Sequence, residues 1–209
     1  MPLIRKGSGP PASPASVDRD ATMTALRAGT REERWDAARA LAMFPEAAAA
    51  LGEALSTEAD QLVREAICTA LVRINSADSV DAILPHLRSD DANLRTDALD
   101  ALKAMPVAAQ ARFQSLLRDP DPDVRILGWD LVRETGSADA TRRLAAILDA
   151  ENEVNVCAAA IEALAEIGAA EALPALTRCA ERFPDQPFLS FAAKAACERI
   201  GSQAPRPHD

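Results

Sequence analysis

This sequence predicts an all-α fold built from repeated helical hairpins, and three observations predict it. Alanine fills 46 of the 209 positions, while Phe and Trp together number seven and Tyr is absent. The best helix former therefore dominates, and the aromatic residues that favour strands are scarce. The balance of 48% hydrophobic and 26% charged residues is that of a globular chain. Finally, one apolar pattern recurs six times at nearly constant spacing, the mark of stacked units that cannot bury their faces alone.

The second helix of each unit carries the clearest signal. ERWDAARALAMF, VREAICTALVRI, LRTDALDALKAM and VRILGWDLVRET are built around Arg34, Arg64, Arg95 and Arg125, and two further copies replace the arginine with Cys157 and Ser190. These six markers lie 30 to 33 residues apart. Counting from the marker, apolar residues fall at −1, +3, +6, +7 and +10, which is one face of a helix of period 3.6. Small residues dominate +3, at Ala37, Ala98, Gly128, Ala160 and Ala193. A shorter apolar helix precedes each copy, as in SVDAILPHLRS, ATRRLAAILDA and AEALPALTRCA. Between the two helices sits a stop-and-cap signal, strongest in DPDPDVR at 119–125. Thr30 with Glu33 predicts a capping box, and Gly136, Gly168 and Gly201, one residue past +10, predict C-caps.

The ends differ from this array. Residues 1–17, closing in GSGPPASPAS, and residues 202–209 are rich in Pro, Ser and Gly and predict disordered tails around a solenoid over 18–201. The last copy departs from the rule at Ser190 and places Lys194 on its helix flank, as suits an exposed cap, so the array is expected to be complete and monomeric.

The run D-x-x-x-x-V-R with A-L-x-x-I-G behind it resembles the HEAT repeats, in particular the short bacterial kind found in phycobilisome lyases. The resemblance covers residues 18–201 and implies a right-handed α-solenoid of about six hairpins, with Pro85 and Pro174 where the first helix is often kinked. It also implies that the recurring arginines Arg34, Arg64, Arg95 and Arg125 pair with an acidic residue in the preceding turn, for which Glu58, Asp90 and Asp119 are placed. That is a structural ladder, in competition with an anion-binding row.

Charge and residue types narrow the function. The net charge is −9; the tails carry Arg5, Lys6, Arg206 and Asp209, a sum of +2, which leaves −11 on the array. An acidic body argues against nucleic acid and anionic membranes as partners. There is no run of 18 apolar residues and no signal-peptide core after Met1, so the chain reads as cytoplasmic. Cys68, Cys157, Cys179 and Cys197 are scattered and read as reduced core residues. Only His86 and His208 are histidines, which argues against Ser-His or Cys-His catalysis and against a His-based metal site. No catalytic, cofactor or metal residues are assigned.

The resemblance puts the second helices on the concave face, where a partner would touch their outward stripe at +1, +5 and +8. That stripe carries Trp35, Arg39, Glu65, Thr69, Asp100, Lys103, Ile126, Asp130, Arg133, Glu162 and Phe191. Trp129 lies on the flank and is expected half exposed, as an interface anchor. Large apolar residues at both ends (Trp35 and Phe191) and in the middle (Ile126), with an acidic row of Glu65, Asp100, Asp130 and Glu162 between them, suit a partner groove; a merely solvated face is the alternative. The leading expectation is a non-enzymatic scaffold or adaptor that takes a helix or extended segment of another cytoplasmic protein. A lyase-like or assembly-factor role beside a partner protein is suggested only by the resemblance, and nucleic-acid binding ranks below both. The apolar and basic run Pro2 to Lys6 is a further element able to dock, on a partner or back on the array.

Overall fold

Thirteen α-helices form from this pattern in a computed structural model that describes residues 18–135 and 141–203. They pair into six hairpins, each a first helix packed on a second. The pairs are α1 (Arg19–Ala28) with α2 (Arg31–Leu41), α3 (Ala48–Thr57) with α4 (Gln61–Ile74), and α5 (Ala77–Ile83) with α6 (Ala92–Lys103). The short α7 (Pro106–Gln110) and α8 (Phe113–Leu116) share one partner, α9 (Pro122–Thr135). Then α10 (Thr141–Ala150) pairs with α11 (Val154–Ile167), and α12 (Leu173–Arg182) with α13 (Pro187–Gln203). The second helices α2, α4, α6, α9, α11 and α13 pack one on the next in a continuous layer, an α-solenoid.

The caps follow from local chemistry. Thr30 and Glu33 make the reciprocal capping box, with Thr30 N–H donating to Glu33 at 2.7 Å and Glu33 N–H to the Thr30 hydroxyl at 3.3 Å. Asp18, Asp60 and Asp91 accept from the exposed N–H groups of α1, α4 and α6. The glycine expectation holds only in part. Gly168 follows α11, but in extended backbone; Gly201 lies inside α13, which runs on to Gln203; Gly136 falls outside the described residues. Among the described residues the left-handed residue that closes a helix is instead Asn75, with φ 50°, after α4.

Pro85 lies in a 3-10 turn, Leu84–Arg88, that carries on from α5, since proline cannot supply the N–H that a further α-helical turn needs. Pro174 sits in the first turn of α12, where the missing N–H costs nothing. The first helix of the fourth hairpin is divided into α7 and α8, and Arg112 at the division reaches back to Asp81 of α5 with two hydrogen bonds of 2.6 Å.

The core lies between the two layers. Val63, Val124, Val156 and Leu189, all at −1, are fully buried, and so are Leu41, Leu71, Leu102, Val132 and Leu164 at +7. Each such side chain contributes about 1.5–3 kcal/mol by leaving water. The core passes from one cluster to another at α9, where Val124 and Leu131 pack with the earlier hairpins and Trp129 and Val132 with the later ones.

Candidate functional site

A helix that buries one stripe presents another. On α2, α4, α6, α9, α11 and α13 the +1, +5 and +8 positions are all at least partly exposed, so the second-helix layer carries one continuous accessible face. Its first end is apolar. Trp35 is 36% exposed and Leu62 50%, and with Val63, Arg31 and Glu32 they line a groove of about 190 Å³. The Arg39 guanidinium stacks 4.3 Å from the Trp35 ring centroid, and Arg31 is held by Asp60 at 2.7 Å. The other end is apolar too, with Phe188 47% and Phe191 76% exposed on α13.

The middle is charged and net acidic, and its two cations are paired. Lys103 of α6 reaches Asp130 of α9 at 2.8 Å and Glu134 at 2.9 Å, while Arg133 bonds Asp130 and lies 3.9 Å from Glu166 of α11. Burial works to raise the Asp130 carboxyl, yet the hydrogen bonds from Lys103 and Arg133 hold it below its ordinary value. Asp130, Lys103 and Arg133 therefore tie three hairpins together, which removes Asp130 from the expected row of free acids. Glu65, Asp100 and Glu162 remain exposed, with Glu65 accepting from Gln61, and Thr69 lies exposed among them.

Trp129 is a correction. It is fully buried in the later core cluster and its indole N–H has no partner, so it is no half-exposed anchor. The periodic pattern omitted +4, yet Ala38, Cys68, Trp129 and Ile161 at +4 are all buried. On a solenoid helix +4 continues the apolar face toward the adjoining hairpin. Leu62, two residues before its marker, is the member of the apolar end that the +1, +5, +8 stripe left out; an aliphatic residue next to Val63 reads as core from sequence.

The arginine pairing is corrected as well. Arg34 binds Glu58 at 2.7 and 2.9 Å, Arg64 binds Asp91 at 2.7 Å, and Arg125 binds Glu151 at 2.8 and 3.1 Å. Each carboxylate belongs to the turn of the following hairpin, not the preceding one. Arg34 and Arg125 also donate to carbonyls of their own turn, at Gly29 and Asp119, so each guanidinium joins two turns. Arg95 donates to the Ser89 carbonyl, and the Asp119 carboxylate takes Arg88 instead. An aspartate at 119 is one methylene shorter than the glutamates at 58 and 151.

Among the described residues no three His, Cys, Asp or Glu side chains converge as a metal site would require, and no helix is long and apolar enough to cross a membrane. The buried His86 ring bonds the Gly52 backbone, and burial pushes its pKa down. Cys68, Cys157 and Cys179 are buried and Cys197 partly so, all free; burial pushes the Cys68 thiol up to about 12. His208 lies outside the described residues.

No curated protein matches the chain. Among solved structures it is similar to an engineered protein at 19% identity, covering 92% of this chain and 100% of that one with a TM-score of 0.44. It is similar to a designed armadillo repeat protein at 18% identity (88% and 100%, TM-score 0.43). A third likeness is to the complex of CpcE and CpcF of phycocyanin lyase from Nostoc sp. PCC7120, at 17% identity (97% and 100%, TM-score 0.39). The family model for HEAT repeats matches residues 20–103 and 109–204, nearly the whole length over which hairpin follows hairpin, and the chain belongs to the HEAT repeat family.

Proposed function

We propose that this protein is a non-enzymatic scaffold or adaptor whose second-helix face receives a helix or extended segment of another protein. The observation that carries the reading is the exposure of large apolar side chains, Trp35 with Leu62 and Phe188 with Phe191, at the two ends of one continuous face. Two apolar ends flanking an acidic middle, where Glu65, Asp100 and Glu162 stay exposed, suit a ligand with apolar anchors at its ends and a polar stretch between them. The ion pairs around Asp130 make its charge reversal a poor probe, because that substitution would disturb the packing of α6 on α9.

The better probe removes the anchors. Capture from native cell extract compares wild type with Trp35→Ala plus Phe191→Ala, using Val107→Ala as control, since Val107 is 80% exposed on α7 of the other layer. A protein held by wild type and by the control, and lost at least about tenfold from the double variant, supports the reading, because each anchor is worth about 1–2 kcal/mol or more. Equal retention by all three overturns it.

A further inference from the structure

We propose that the chain's own N-terminal segment Pro2–Lys6 occupies the groove between Trp35 and Leu62, closing the first end of the recognition face until a partner displaces it. The proposal rests on the reading of the second-helix face as a recognition surface, and it adds a built-in competitor.

The groove and the segment are complementary in order and in charge. Trp35 and Leu62 supply apolar walls at the N-terminal ends of α2 and α4. Around them stand Glu32, Asp36 and Glu65, all exposed. Of the basic groups nearby, Arg31 is paired with Asp60, and Arg39, stacked on Trp35, leaves the three acids in excess. The segment presents Leu3 and Ile4 for the walls, followed at once by Arg5 and Lys6 for the acidic surround. Residues 7–17, between the segment and Asp18, carry no charge that would compete.

The geometry allows the contact. Eleven residues span at most about 36–40 Å. Asp18 caps the start of α1, a ten-residue helix about 15 Å long that packs on α2. Trp35 lies in the second turn of α2, which is separated from α1 by two residues, so the groove is on the order of one α1 length, about 15–20 Å, from the point where the tether begins. A segment on so short a tether meets its site at an effective concentration of about 1 mM. Apolar contact by two aliphatic side chains then suffices to close the groove for a substantial fraction of the time. A tail closed about two-thirds of the time weakens partner binding about threefold.

The test uses the full chain and needs no partner. The protein has two tryptophans, so its ¹H–¹⁵N spectrum has two indole cross-peaks; Trp35→Phe identifies one, and the buried Trp129 reports on the fold. Wild type is compared with Leu3→Asp plus Ile4→Asp and with the conservative Leu3→Ile plus Ile4→Leu. The expected result is a Trp35 peak that shifts and exchanges faster with water in the Asp variant, stays in place in the conservative one, and moves toward the Asp-variant position when salt is raised to about 0.5 M. Trp129 stays fixed. A Trp35 peak unmoved by the Asp substitutions overturns the proposal. A shift that depends on protein concentration also overturns it, by assigning the groove to the tail of a second copy. Because the readout is intramolecular, its failure leaves the recognition face standing, and failure of the capture experiment leaves the tail contact standing.

Discussion

Gly52 and His86 share one seam, where α3 meets α5. A Cβ built on Gly52 would lie 2.7 Å from the Ala82 Cβ, closer than two carbon atoms pack, and the Gly52 backbone is also the partner of the His86 ring. Gly52→Val should therefore cost about 1–3 kcal/mol by overpacking, read as a fall of several degrees in thermal midpoint. His86 gives the seam a pH dependence. Burial, outweighing the bond to Gly52, holds its folded pKa below the ordinary 6.5. The unfolded chain thus takes up a proton more readily than the folded one below pH 6.5, so this part of the stability is complete above 6.5 and fades as pH falls toward the folded value. Thermal melts at pH 7.5 and 5.5 should show a larger loss for wild type than for His86→Gln, which keeps a donor for Gly52; equal losses would contradict the assignment. At this scale the sequence was legible where periodicity governs, as at the buried −1 and +7 positions. It misled at Trp129, because an aromatic four residues after the marker looks like a flank until the adjoining hairpin is placed against it.

Between elements, the guanidinium groups of Arg34 and Arg125 do what helix contacts alone do not, joining the turn of one hairpin to the turn of the next, while Arg64 ties α4 to the following turn at Asp91. Arg125 and Glu151 have side chains only 12% and 8% exposed, so the pair is shielded from solvent screening. Burial pulls the Glu151 carboxyl upward, but Arg125 and the N–H groups of Glu153 and Asn152 hold it below its ordinary 4.5. Its contribution is present above about pH 4.5 and is lost as pH falls through the folded value. Glu151→Ala strands Arg125 and should cost about 3 kcal/mol. Denaturant unfolding of that variant beside Arg125→Ala and the double variant measures the coupling, and additive losses would show that the two act independently. The recurrence of the arginines was plain from spacing, whereas the direction of pairing was not. A carboxylate six residues before one marker is also 24 to 26 residues after the previous one, and only the stacking of hairpins decides between them. The division of α7 from α8 had no sequence signal, since PVAAQARFQSLLR reads as one continuous helix.

Across the whole molecule each hairpin touches its neighbours, so stability is a sum of local terms and a partner can bind by spanning several of them. The order of hairpins and the single accessible face of the second helices follow from the 30-to-33-residue repeat. What sequence could not show was that Asp130 is taken out of the acidic row, because Lys103, Asp130 and Arg133 meet only once α6 and α9 are packed together. On the proposed reading, the apolar ends anchor a partner and the exposed acids Glu65, Asp100 and Glu162 face its middle. Site-specific photo-crosslinking in native cells tests this most directly, with a photoreactive residue at Thr69, Asp100 or Ala195 on the second-helix face, or at Ala49, Ala146 or Thr177 on the first helices, all exposed positions. One shared crosslinked protein is expected from the first three positions and none from the other three. Crosslinks confined to the first-helix positions would contradict the proposed reading.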